Sequence, residues 1–143
     1  MPNVGRFKYK LLAKYPHLSQ EDITTWEKFI ALNPTAYDTV DYDFALGQVI
    51  DLAGQAKDLG IAGAERVNKY RIDVIGYGNR YTHLIELKGR ADPAVLGHLR
   101  AEDVFYDRDE AGDQTSEMIV IAREATPELD MLAKADGITL ILV

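Results

Sequence analysis

Cysteine is absent from the 143 residues, which excludes disulfide frameworks, thiolate zinc sites and cysteine nucleophiles. Histidine is scarce: His17, His83 and His98 show no short ligand spacing such as HExxH, so no zinc site is expected. No apolar run approaches the roughly 18–20 residues that a membrane span needs, and no membrane partner is expected. The N-terminal stretch MPNVGRFKYKLL has no apolar segment ahead of a small-residue cleavage site, so it does not read as a secretory signal and a cytoplasmic location is expected. Walker-type and GxSxG loops, internal repeats and Gly/Ser linkers are also missing. Positive charge is in deficit, with 16 basic against 23 acidic residues and a net charge of −7. That excludes a strongly basic nucleic-acid binder on average charge, although a local basic face remains open.

What is present fits one globular domain. Hydrophobic residues make up 47% and charged residues 27%, enough to bury a core. Basic residues gather early, at Arg6, Lys8, Lys10 and Lys14, and acids gather between Glu102 and Glu117. The basic arm reads either as a solvated tail or as a strip that steers toward phosphate or an acidic surface. Ser19 caps a helix carrying Ile23, Trp26, Phe29 and Ile30 at helical spacing, ended by Asn33-Pro34. Tyr37–Tyr42 reads as a strand or an extended lead-in. Phe44–Gly60 has apolar residues at i, i+3, i+4 and i+7, which predicts a second helix.

The period then changes. Arg71–Ile75 and Tyr81–Leu87 are rich in β-branched and aromatic residues, and Gly78-Asn79 between them predicts an antiparallel hairpin. Asp92 and Pro93 open a helix to about Tyr106. Asp107–Ser116 reads as a loop, Met118–Ala122 as a buried strand, Thr126–Lys134 as a short helix, and Ile138–Val143 as a last strand after the Asp136-Gly137 turn. Strands interleaved with helices predict an α/β fold with a mixed central sheet flanked by helices.

The chemistry concentrates in Asp73, Glu86 and Lys88. Asp73 stands among apolar strand residues, and Glu86-Leu87-Lys88 ends the next strand. Alternation puts Glu86 and Lys88 on one face and Leu87 on the other. If the hairpin sets Asp73 beside Glu86, two repelling carboxylates meet, and a hard divalent cation such as Mg²⁺ relieves the cost. The residues alone also fit an ordinary ion network, with the two acids paired to Lys88, Arg71 or Arg90 on a half-exposed hairpin.

Asp73, twelve intervening residues and then Glu86-Leu87-Lys88 resemble the PD-(D/E)XK nuclease superfamily, with Ile72 in the place of the motif's proline. The resemblance implies an αβββαβ core, residues 44–143, after an N-terminal arm and helix over residues 1–43. The helix from Phe44 would be the first core helix. It implies a metal-dependent phosphodiesterase in which Asp73 and Glu86 hold Mg²⁺ or Mn²⁺, the Leu87 carbonyl adds a third ligand and Lys88 orients water. An acid on the first helix, Asp43 or Asp51, would complete the site. On the helix after the motif, Gly97-His98 stands where many members carry Gly-Gln, and His98 or Arg100 would touch phosphate, with Arg71 and Arg90 as further contacts to DNA. For DNA to approach, the acids from Glu102 to Glu117 would have to face away.

A second reading reuses the fold without catalysis. In that case a phage-encoded head-to-tail or tail component would bind protein partners or its own copies, and its location would be the virion.

Overall fold

A computed structural model of the chain describes residues 4–46, 70–109 and 116–143. The elements are β1 (Phe7–Lys8), α1 (Gln20–Leu32), β2 (Thr39–Ala45), β3 (Arg71–Gly78), β4 (Tyr81–Ala91), α2 (Ala94–Asp109), β5 (Ser116–Ala125), α3 (Leu129–Ala135) and β6 (Ile138–Leu142). The six strands form one sheet in the order β1-β2-β3-β4-β5-β6. The first four pair antiparallel, and β5 and β6 add in parallel. Parallel neighbours need a crossover, and α2 and α3 supply those connections. Among the described residues no helix is long and apolar enough to cross a membrane.

Two of the helices open on a side-chain cap. The Ser19 hydroxyl accepts from the Asp22 amide at 3.1 Å, which satisfies one of the first-turn donors of α1. The Asp92 carboxylate does the same for the Ala94 amide at 2.9 Å. Gly137, at φ +71°, turns the chain from α3 into β6, a conformation that costs a glycine nothing.

The sheet separates two apolar clusters. One contains Trp26, Phe29 and Ile30 of α1 with Val74, Ile85, Leu87, Ile119 and Ile121. Trp26 is fully buried, stacks on Phe29 at 5.4 Å and donates its indole N–H to the Tyr42 hydroxyl at 2.9 Å. The other contains Ile72, Ile75, Leu84, Val95, Leu99, Tyr106 and Leu129, so α2 and α3 cover that side. The N-terminal arm is stitched to β2 through Gly5 N–H to Thr39 Oγ1 at 2.8 Å and Arg6 N–H to Asp41 Oδ1 at 2.9 Å.

Three boundaries differ from expectation. Phe44 and Ala45 are not the start of a helix. They extend β2 because they pair with Ile72 and Arg71. The rest of that expected helix, from residue 47, lies outside the described residues, as does Asp51. A division of the chain between 43 and 44 therefore falls inside a strand. Asp107–Asp109 are not loop either, since they complete the last turn of α2. Counted from α1, the order runs helix, three antiparallel strands, helix, parallel strand.

Candidate active site

The site lies where β3 leaves β4. Their ladder runs from Gly78↔Tyr81 to Val74↔Ile85, whereas β4 continues to Ala91 alongside β5. On the other flank of β3, pairs with β2 are formed at Val74 and Ile72. Opposite Asp73 stands Asp43, whose φ of +49° is left-handed. Residues two apart in a regular strand share a face. Here Val74 and Tyr42 belong to one core cluster, and Ile72 and Phe44 pack in the other. The alternation breaks at Asp43 and Asp73, and the strands swivel there. The Asp73 carboxylate takes over the lost ladder contact by accepting from the Leu87 amide at 2.9 Å.

Three carboxyl groups meet on the α2 side of this gap. Burial pushes Asp73 up to about 6, with the nearby Asp22 charge adding to the effect and the Leu87 amide opposing it. Glu86 is 7% exposed and is raised well above the ordinary range, first by burial and then by the charges of Asp73 and Glu102. Glu102, on α2, is 3% exposed and is pushed up to about 8, mainly by burial and further by Asp73. Glu86 stands between the other two, with its carboxyl in hydrogen-bonding reach of both. With all three ionised, no donor reaches Glu86 Oε1 or Glu102 Oε2, both shielded from solvent. A proton on Glu86 or a bound cation would satisfy them.

Lys88 is exposed and shares the strand face of Glu86. Its charge draws Asp73, Glu102 and Asp22 toward their ionised forms. The sequence-derived triad of Asp73, Glu86 and Lys88 thus gathers at one place. Leu87 is buried in the opposite cluster.

The accessory residues fare differently. Asp43 faces Arg71, with Oδ2 at 2.8 Å from the guanidinium, so these two side chains occupy each other. Arg100 pairs with Asp136 at 3.7 Å. His98 is exposed and lines a small surface hollow with Tyr70, Ala94 and Ala101. Arg90 is exposed one strand repeat beyond Lys88. Among the described residues, no three His, Asp or Glu side chains surround a single point as a metal cage.

Two residues of the neighbourhood escaped the sequence reading. Glu102 does not face away with the other acids, because it stands on the buried face of α2 with Val95, Leu99 and Tyr106. Its signal was helical spacing of 3 and 4 from Leu99 and Tyr106. Asp22, in the first turn of α1, carries its charge to both Asp73 and Lys88. Three residues after the Ser19 cap, its sequence position marks it only as a capping-box acid.

No known sequence family matches the chain, and no curated protein matches it. Two solved structures are similar in fold. One is a repair endonuclease from Pyrococcus abyssi, at 16% identity and a TM-score of 0.55, covering 92% of this chain and 49% of that one. The other is EndoMS in complex with double-stranded DNA, at 18% identity and a TM-score of 0.51, covering 92% of this chain and 48% of that one. The chain spans about half the length of these structures. What they share with it is a nuclease-like fold, which the described residues of this chain build as a mixed six-stranded sheet flanked by helices.

Proposed function

We propose that the chain is a divalent-metal-dependent DNA phosphodiesterase of the PD-(D/E)XK type, with its site at Asp73, Glu86 and Lys88. The observation that carries this reading is the pair of buried, unpartnered carboxylate oxygens on Glu86 and Glu102, set beside Asp73 where β3 separates from β4. Fold similarity to endonucleases, one of them bound to double-stranded DNA, supports it.

The residues fit a hard cation. Carboxylate and carbonyl oxygens are the donors that Mg²⁺ and Mn²⁺ prefer. Asp73 and Glu86 would hold the ion. The Leu87 carbonyl is the natural third donor, because in a strand the N–H and C=O of one residue face the same neighbour, and the Leu87 N–H already meets Asp73. Bound there, a divalent cation supplies stabilisation of the charge that develops on phosphate oxygens. The chain's own groups do the rest. Lys88, exposed beside the acids, orients the attacking water and holds it by hydrogen bonding. Arg90, on the same strand face, contacts the phosphate backbone, as does Arg71 to the extent that Asp43 releases it. DNA is the expected partner, in a cytoplasmic setting.

The test is cleavage of supercoiled and linear DNA with Mg²⁺ or Mn²⁺. Asp73→Asn, Glu86→Gln and Lys88→Ala are each expected to lower the rate about 10²–10⁴-fold, the range for losing a positioned catalytic group. Cleavage that survives chelation, or that is unchanged in all three variants, would overturn the assignment.

A further inference from the structure

A hollow of about 370 Å³ opens on the α1 side of the sheet, and its walls include Phe29, Tyr37, Tyr81, His83, Glu117 and Ile141. We propose that it binds an alkylammonium ion, with the aromatic rings as a cage and the Glu117 carboxylate as the counter-charge. The proposal stands apart from the site at Asp73, Glu86 and Lys88. Tyr81 and His83 alternate with Glu86 along β4 and so take the opposite face of the sheet, where Tyr81 packs with the cluster of Ile85 and Leu87.

The walls are held by their own hydrogen bonds. Tyr81 donates its hydroxyl to the Ala36 carbonyl. Tyr37 is buried, with its hydroxyl 2.7 Å from His83 Nδ1. His83 Nε2 lies 3.4 Å from Glu117 Oε2. An ionised carboxylate only accepts, so Nε2 carries the ring proton and the Tyr37 hydroxyl donates to Nδ1. Burial pushes His83 below its ordinary value, against the opposing pull of Glu117, and the neutral ring puts no positive charge into the hollow. Glu117 is left as the charge at the mouth, its side chain 65% exposed. Among the described residues no lysine or arginine pairs with it, and none lines the hollow.

These features select the ligand. Cations are drawn to aromatic faces and to a carboxylate, whereas an anion would be repelled. Tyr37 meets Tyr81 at 56° with ring centroids 6.2 Å apart, and meets His83 at 87° and 5.4 Å. Walls inclined in this way enclose a rounded ammonium head and do not make the parallel slot in which a flat base stacks. Phe29 and Ile141 supply apolar surface for the alkyl chain. The volume lies at the lower end of the range for small-molecule sites.

The experiment is titration of the full chain with n-butylammonium, followed at backbone amides by nuclear magnetic resonance, beside uncharged n-butanol. The amides of Tyr37, Tyr81, His83 and Glu117 are expected to shift saturably with the cation and not with the alcohol. Glu117→Gln changes an exposed position, should keep the spectrum of the folded chain, and should weaken binding about tenfold, as for one charge-assisted contact. Tyr81→Leu should weaken it about two- to fivefold. Nα-acetyl-lysine methylamide carries the same head on a peptide backbone. Tighter binding than butylammonium assigns the site to a protein's lysine and weaker binding to a free amine, and either upholds the cation site. Equal shifts with n-butanol, unchanged affinity in Glu117→Gln, or no shift at these amides would overturn the proposal.

Discussion

At the scale of single residues, the site is a place where charge is held under strain by burial. Asp73 and Glu102 keep their protons to about 6 and about 8, against ordinary values of 3.8 and 4.5. The folded chain therefore binds more protons than the unfolded chain across that interval. Stability from this source is complete below the ordinary carboxylate range and is lost as pH rises through 6 and then 8. Without divalent ions the melting temperature should fall between pH 5 and pH 8.5, and Mg²⁺ should restore it at the upper end. A flat or rising profile in chelator would contradict the picture. Trp26 sets a different kind of demand. With its ring buried on Phe29 and its N–H on Tyr42, Trp26→Ala should cost ~3–5 kcal/mol in denaturant unfolding. Trp26 was legible in the sequence because helical spacing exposes an apolar face. Glu102 was not, because a charge run reads as solvated until the helix that turns one member inward is known.

At the scale of elements, the chain was legible where periodicity and punctuation agree. Ser19 and the Ile23–Ile30 spacing mark α1, Gly78-Asn79 marks the hairpin, and Asp136-Gly137 marks the entry to β6. Phe44 and Ala45 misled because an apolar pair at the head of a helical pattern fits a strand equally well, and pairing with β3 decides the matter. The end of α2 misled because Asp107 and Arg108 are exposed, so its last turn has no apolar stripe to announce it. Two substitutions probe these elements. Ser19→Ala removes the acceptor of the Asp22 amide and should destabilise by about 1 kcal/mol. A side chain at Gly5 would stand 2.4 Å from the Val40 carbonyl oxygen, a backbone atom that cannot swing aside. Gly5→Ala should therefore loosen the arm at a cost of ~1–3 kcal/mol, visible as faster hydrogen exchange at Arg6 and Phe7.

At the scale of the whole molecule, the proposed function requires a chain of net charge −7 to meet a polyanion through a local face. Binding to DNA should weaken steeply with salt, since each neutralised phosphate releases condensed counterions. Arg90→Ala should lower the slope of log K against log salt by about 1. Arg71→Ala should change it less, because Asp43 already neutralises Arg71 at 2.8 Å. Fluorescence anisotropy of labelled duplex over a salt series separates the two variants.

The side chain of Asp73 does the work of a missing backbone carbonyl at the Leu87 amide. It is a rivet as well as a proposed metal ligand. Cutting it back to a methyl group would unfasten two strands in the same stroke that removes that ligand. An inert Asp73→Ala protein would then speak about seams rather than chemistry. Asparagine, which keeps an acceptor oxygen of the same reach, leaves the seam sewn and isolates the lost negative charge.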